Sequence, residues 1–97
     1  MGYDTHWVSR SLHSFGNEVF RTLLAEERLK RGLTQVALAG QLACPQSVIS
    51  KVERGDRRLD FVEFMTWAAA LGLDVTAFIE RYRLRVVPVP NAPTEPD

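Results

Sequence analysis

Residues 34–55, TQVALAGQLACPQSVISKVERG, predict two short helices separated by a tight break. Thr34 can cap the first helix, because its side-chain oxygen can accept a hydrogen bond from a free backbone N–H of the first turn. Pro45 can begin the second helix, since the N–H that proline lacks has no partner at a first helical position. Gly55 can end the second helix in the left-handed conformation that glycine adopts readily.

The two predicted helices distribute their apolar residues differently. In the first, apolar residues recur on one face, at Val36, Leu38, Ala39 and Leu42. In the second, Ile49 and Val52 face inward and the other face is polar. That polar face carries Gln46, Ser47, Ser50, Lys51 and Arg54. Small donors and acceptors together with two cations on one short exposed helix suit a groove of DNA.

Two spaced motifs occur in this stretch, Gln35-x-x-Leu38-Ala39 and Gln46-Ser47-x-Ile49-Ser50-x-x-Glu53-x-Gly55. Their spacing resembles the helix-turn-helix of the Xre/Cro phage-repressor family, and the resemblance extends from Leu24 to Ile79. It implies an all-α, five-helix, lambda-repressor-like DNA-binding domain with short non-helical tails. The family usually has glycine in the turn, where this chain has Ala43. If Ala43 must adopt a positive φ, alanine costs about 1 kcal/mol relative to glycine.

The helix from Pro45 to Arg54 is the predicted recognition helix. The residues expected to reach base edges are Gln46, Ser47, Val48, Ser50 and Lys51. Glutamine is a natural partner for adenine and lysine for guanine, and a valine can touch a thymine methyl group. The residues expected to hold phosphates, and so to set register without reading sequence, are Gln35, Arg54, Arg57 and Arg58.

Charge is unevenly distributed along this neutral chain of 97 residues. Residues 28–58 carry seven Lys/Arg against Glu53 and Asp56, a local balance of +5. Acids outnumber cations both before and after this segment. The segment therefore predicts one basic face at the motif, as expected of a protein that binds nucleic acid.

The remaining composition argues against several other classes of protein. There is no Gly-rich phosphate loop, no Cys-x-x-Cys and no nucleophile–base arrangement, so we expect neither an enzyme nor a cofactor. His6 and His13 lack a carboxylate or cysteine at ligand spacing, and we expect no metal. No apolar run is long enough to span a membrane, and the N-terminus is not a signal peptide. We therefore expect a cytoplasmic protein.

The flanking sequence predicts the rest of the domain. We expect an N-terminal extension over residues 1–13, the helix-turn-helix domain over 14–85, and an extended Pro-rich tail over 86–97. The first helix is predicted to begin at Ser14 or Asn17 and to end at Arg31. Asp60 begins another helix, with Glu63 placed for a capping box. Its predicted core residues are Phe61, Phe64, Met65, Ala68 and Leu71, while Trp67 is interpreted as packing. Asp74 can cap a fifth helix.

Two kinds of partner are expected besides double-stranded DNA. Proteins of the resembling family usually act as homodimers on inverted repeats. We expect the pairing surface within residues 74–89, and its candidate residues are Phe78, Ile79, Tyr82, Val86 and Val87. The alternatives are an adaptor that binds only protein, and an antitoxin that binds both a toxin and DNA. The resemblance implies a repressor, and the sequence does not choose between an antitoxin, a restriction-modification controller and a prophage regulator.

Overall fold

The computed structural model describes the backbone of residues 10–86 and the side chains of residues 14–86. Within this range there are five α-helices and no strand, as predicted. The helices are α1 (Arg10–Lys30), α2 (Gln35–Leu42), α3 (Gln46–Arg54), α4 (Phe61–Leu71) and α5 (Val75–Val86). The predicted features that involve Trp7, the two histidine side chains, Val87 and the Pro-rich tail lie outside the described residues.

Three helix boundaries differ from the prediction. α1 begins at Arg10, so residues 10–13 are helical, and no proline interrupts the chain from there to Lys30. α5 continues to Val86, which was predicted to be the first residue of the extended tail. Its last turn is held by Arg85, which pairs with Glu26 of α1 at 3.2 Å. Pro45 precedes α3 as the N-cap instead of occupying its first turn.

The predicted caps are confirmed. Thr34 Oγ1 accepts a hydrogen bond from the Ala37 N–H at 3.0 Å. Asp60 and Glu63 form a reciprocal capping box, in which each side chain accepts from the other residue's N–H. Asp74 Oδ1 accepts from the Ala77 N–H at 3.1 Å. These local signals fix where α2, α4 and α5 begin.

One hydrophobic core joins all five helices. α1 packs against α3 and α5, and α2 packs against α3 and α4. The most deeply buried side chains are Leu23, Leu24, Leu38 and Ile49. Phe20, Phe64 and Phe78 form an aromatic cluster, with ring centroids 5.4 to 6.0 Å apart. Trp67 is buried, which confirms that it packs in the core.

Helical register corrects three predicted core residues. Val36, Phe61 and Met65 are exposed. Position 36 lies off the face that Leu38, Ala39 and Leu42 share. In α4 the inward face is formed by Phe64, Trp67, Ala68 and Leu71. Phe61 and Met65 therefore point away from the core.

The predicted dimer surface is also corrected at one residue. Phe78 is only 2% exposed within its own chain, and its ring packs on Phe20 and Phe64. It is therefore unavailable to a second copy. Ile79 is exposed, while Tyr82 and Val86 are half-buried against the core.

α1 and α5 are joined by a cluster of charges around Glu27. The Glu27 carboxylate is buried and forms ion pairs with Lys30, Arg31 and Arg81. Burial raises the pKa of Glu27, but the hydrogen bond from Arg31 and the charges of Arg81 and Lys30 outweigh it. The net result is a pKa below the ordinary value of 4.5.

No single helix within residues 10–86 is long and apolar enough to cross a membrane, although α4 and α5, bent by 116° at their junction, meet that test as a pair.

Candidate nucleic-acid interface

α3 presents the polar face that the sequence predicted. Its apolar side, Ile49 and Val52, is buried in the core. Gln46, Ser47, Lys51 and Arg54 are exposed, whereas Val48 and Ser50 are half-buried. The turn before α3 contains Ala43 at φ 56° and ψ 44°, a left-handed conformation. The predicted strain at this alanine is therefore present in the fold.

A chain of polar side chains fixes the N-terminal end of this surface. Gln46 Nε2 donates to Gln35 Oε1 at 2.9 Å, and Gln35 Nε2 donates to Glu53 Oε1 at 2.9 Å. Glu53 in turn accepts from Arg28 Nε at 2.7 Å and from Nη2 at 3.0 Å. Arg28 also donates to the Leu33 carbonyl at 2.6 Å. Gln35, predicted only as a phosphate ligand, thus also positions Gln46 relative to α1.

The C-terminal end of α3 is held by α1 as well. Arg21 Nη1 donates to the Glu53 carbonyl at 3.2 Å. Its guanidinium lies against Gly55, where a Cβ atom would come within 2.8 Å of Arg21 Nε. Gly55 has φ 89°, so both its backbone conformation and this close contact favour glycine. A cation at the last carbonyls of a helix also complements the helix dipole.

The predicted cations of the interface differ in how free they are. Arg54 pairs with Asp56 at 3.0 Å and donates to Ser50 Oγ at 2.7 Å. Arg57 pairs with Glu63 at 2.9 Å. The Glu63 hydrogen bond raises the pKa of Arg57, and the same contact lowers the pKa of Glu63. Although each is paired with a carboxylate, the side chains of Arg54 and Arg57 remain partly exposed to solvent.

Lys51 and Arg58 are the most available cations of this face. Both are exposed, and neither has an ion pair among residues 14–86. An exposed, unpaired cation can approach a phosphate or a base without first giving up a protein partner.

Three of the seven basic residues in segment 28–58 lie away from this face. Arg28 is buried against Glu53. Lys30 and Arg31 pair with Glu27, and Arg31 also donates to the Gly72 carbonyl. The predicted basic face is consequently smaller than the sequence suggested. Its cations are Lys51, Arg54, Arg57 and Arg58.

Arg21 and Arg28 of α1 were not predicted as functional residues from the helix-turn-helix motif, yet both hold α3 in place. They lie seven residues apart, so they share one face of α1 with Leu24. Arginine on the apolar face of a predicted core helix is the signal that could have identified them. Arg28 needs a carboxylate partner when buried, and Glu53, already part of the motif, supplies it.

Comparison with known proteins agrees with this geometry. The helix-turn-helix family model HTH_3 matches residues 24–78, more than half of the chain. The chain belongs to this Xre-type, lambda-repressor-like family. No curated protein sequence matches it.

Solved structures with the same fold include an XRE-family like protein from Pseudomonas syringae pv. tomato. It is 36% identical over 78% of this chain and 93% of its own, with a TM-score of 0.73. The restriction-modification controller protein C.Esp1396I is 23% identical, with a TM-score of 0.69 over 75% of this chain and 96% of its own. That controller was solved as a tetramer in complex with its natural 35 base-pair operator. Family and fold together identify this Xre-type protein as a DNA-binding transcriptional regulator.

Proposed function

We propose that this chain is a sequence-specific, non-enzymatic repressor that binds double-stranded DNA as a homodimer on an inverted-repeat operator. The observation that carries the proposal is that hydrogen bonds from α1 fix the position of the exposed α3 face. Arg21 and Arg28 of α1 both donate to Glu53 of α3, and a continuous hydrogen-bonded chain runs from Arg28 through Glu53 and Gln35 to Gln46. Rigid positioning of base-reading side chains reduces the entropy lost on binding.

The proposed roles follow position: base reading is assigned to the first two turns of α3, and phosphate contact to residues before it, at its last turn and after it. Gln46, Ser47, Val48, Ser50 and Lys51 read base edges. Gln35, Arg54, Arg57 and Arg58 contact phosphates. The operator complex of C.Esp1396I, a protein of the same fold, supports DNA as the ligand. A single short recognition helix reads only a few base pairs, which is why we propose two copies on a two-fold site.

Selection of duplexes from a random pool, followed by retardation assays, tests this proposal. A dimer would present eight interface cations, two sets of Lys51, Arg54, Arg57 and Arg58. If four to eight phosphates are neutralised, log K should fall with log salt at a slope of roughly −4 to −7. The selected sequence should contain an inverted repeat with half-sites about one helical turn apart.

An adaptor or an antitoxin predicts a different outcome of the same experiment. A pure adaptor enriches no sequence at all. An antitoxin enriches an operator and also retains a protein toxin. The face formed by Lys51, Arg54, Arg57 and Arg58 accounts for binding to DNA, and it gives no reason to expect a toxin. Enrichment of an inverted repeat by the isolated chain therefore favours the repressor over the adaptor.

A further inference from the structure

The outer face of α4 is apolar, and no side chain among residues 14–86 covers it. The helix, FVEFMTWAAAL, has one charged residue, Glu63, which is used in the capping box and in the pair with Arg57. On the outer side, Phe61 and Val62 are each 72% exposed and Met65 is 41% exposed. Thr66 and Ala69 continue this side as exposed residues. A helix that is apolar on all sides normally has both sides covered.

The exposed side of α5 has a different composition. Ile79 is 48% and Leu84 is 70% exposed. Between and beside them lie Glu80 and Arg83, which pair with each other at 3.1 Å, and Arg85, which pairs with Glu26. Isolated exposed apolar residues among charges are ordinary surface, whereas a contiguous apolar strip marks an interaction site.

We infer that the outer face of α4 binds the same face of a second copy of this chain, with the two α4 helices antiparallel. A two-fold interface uses one patch twice, so the patch must be self-complementary. The strip has large side chains, Phe61 and Val62, at its N-terminal end and the small Ala69 near its C-terminal end. In an antiparallel pair centred between Met65 and Thr66, Val62 of each copy faces Ala69 of the other. The small Ala69 allows the helices to approach closely there.

The charges at the two ends of α4 are complementary in the same arrangement. Arg58 lies three residues before the helix and Asp74 three residues after it. Neither forms an ion pair within the part of the chain whose side chains are described. Antiparallel pairing about the middle of α4 brings Arg58 of each copy towards Asp74 of the other. A parallel pair would instead place like charges together, which opposes association.

The position of α4 in the chain connects this surface to the recognition surface. α4 begins three residues after Arg58, so the two surfaces adjoin along the chain. Its role in operator binding rests on the proposed function, since pairing would set the spacing of the two recognition helices. Self-association itself does not depend on DNA and can be measured without it.

Sedimentation equilibrium of the full chain across the micromolar range tests the surface. Val62→Gln with Met65→Gln places two neutral, helix-compatible polar side chains in the strip. We expect a dimer whose Kd rises at least about 10-fold in this variant. The matched control, Ile79→Gln with Leu84→Gln, changes two exposed apolar residues of α5 and should leave the Kd unchanged. A monomeric wild-type protein, or dissociation by the α5 pair alone, would overturn the inference.

Asp74→Asn tests the antiparallel orientation. Asparagine retains the side-chain oxygen that caps α5, but it removes the charge. Loss of two Arg58–Asp74 pairs should raise the Kd by about 2- to 10-fold at low salt, and by less at high salt. An unchanged Kd at low salt would exclude the antiparallel pairing.

DNA binding separates this inference from the proposed function. The probes are the selected duplex and the same duplex with one half-site scrambled. The α4 variant should bind the single half-site like the wild type and lose the additional affinity for the full site. If the wild type dimerises through α4 but binds no DNA, the proposed function fails and the interface stands. If the α4 variant remains dimeric and binds the full operator normally, the interface fails and the proposed function stands.

Discussion

Arg28 of α1 and Glu53 of the recognition helix form a bidentate ion pair, with Nε–Oε2 at 2.7 Å and Nη2–Oε1 at 3.0 Å. The pair is almost buried, and Glu53 also accepts from Gln35. The recognition helix is therefore attached to the core through charge as well as through Ile49 and Val52. The Glu53 side chain that binds Arg28 also accepts a hydrogen bond from Gln35, which in turn accepts one from Gln46.

Removing either member of this pair should destabilise the domain strongly. Glu53→Ala or Arg28→Ala leaves a nearly buried charge without its partner, and we expect each to lower the free energy of unfolding by about 3–5 kcal/mol. The double variant should lose less than the sum of the two. Urea denaturation followed by circular dichroism measures all three. The exposed pair Glu80–Arg83 is the control, where each alanine should cost no more than about 0.5 kcal/mol. Additive effects at Arg28 and Glu53 would contradict the coupling.

Ala43→Gly should stabilise the protein. Ala43 adopts a left-handed conformation at φ 56°, which glycine reaches without strain. We expect a gain of about 0.5–1 kcal/mol, or a rise in Tm of about 2–8 °C. Ala37→Gly, at an exposed helical position of the same helix, should lower stability by a similar amount. Two changes of the same sign would show that the turn carries no strain.

The sequence alone predicted the features that depend on neighbouring residues. Thr34, Asp60 and Asp74 cap helices because each cap involves only the next three residues, and these predictions are confirmed. The number of cations on the basic face was overestimated, because it depends on contacts between residues far apart in the sequence. Arg28 is matched by Glu53, 25 residues away, and no local pattern reports such a pair. Counting charge along the chain cannot separate a buried cation from an exposed one.

The apolar residues of α4 show a second limit of sequence patterns. The helix is apolar on more than one side, so periodicity could not choose between Met65 and Trp67 as the core residue. Only the packing of Phe64 and Trp67 into the core decides that Phe61 and Met65 face outward. The same ambiguity is why the sequence does not predict an exposed apolar strip of Phe61, Val62 and Met65 on α4.

Gly55→Ala should be more damaging than Gly72→Ala. Both glycines have positive φ, at 89° and 65°, so alanine is strained at either position by about 1 kcal/mol. At Gly72 there is open space for a Cβ atom, whereas at Gly55 it would meet the Arg21 guanidinium. The difference between the two free energies of unfolding measures the displacement of Arg21 from the end of α3. Equal effects would mean that Arg21 moves aside freely.

Stability should fall in acid through Glu27. Its folded pKa lies below 4.5, so the unfolded chain binds more protons as the pH falls through this region. The contribution of Glu27 is therefore fully present above its unfolded pKa and is lost as the pH falls through the folded pKa. Glu27→Gln should lower stability by about 1–3 kcal/mol at neutral pH, and the two proteins should converge in acid. Urea titrations at a series of pH values test this. A constant difference down to the acid limit would exclude Glu27 as a source of the pH dependence.

Base reading and phosphate contact should separate in DNA-binding measurements. Lys51→Ala and Gln46→Ala should each cost roughly 1–3 kcal/mol on the selected operator and relax base preference. Arg57→Ala and Arg58→Ala should weaken all sequences about equally and flatten the salt slope. Competition against single-base operator variants at two salt concentrations distinguishes these outcomes.

Gln35→Ala tests whether the hydrogen bond between Gln35 and Gln46 positions Gln46 for base reading. Gln35 Oε1 accepts from Gln46 Nε2 at 2.9 Å, and Gln35 is also a proposed phosphate contact. If positioning matters, its loss should reduce both overall affinity and the preference at the base pair that Gln46 reads. Arg57 is the matched control, because its ion pair is with Glu63 and not with a side chain proposed to read bases, and its loss should leave base preference intact. If Gln35→Ala and Arg57→Ala give the same specificity profile, Gln35 serves only as a phosphate ligand. If Lys51, Gln46, Arg57 and Arg58 all behave alike, the assignment of the recognition face is wrong.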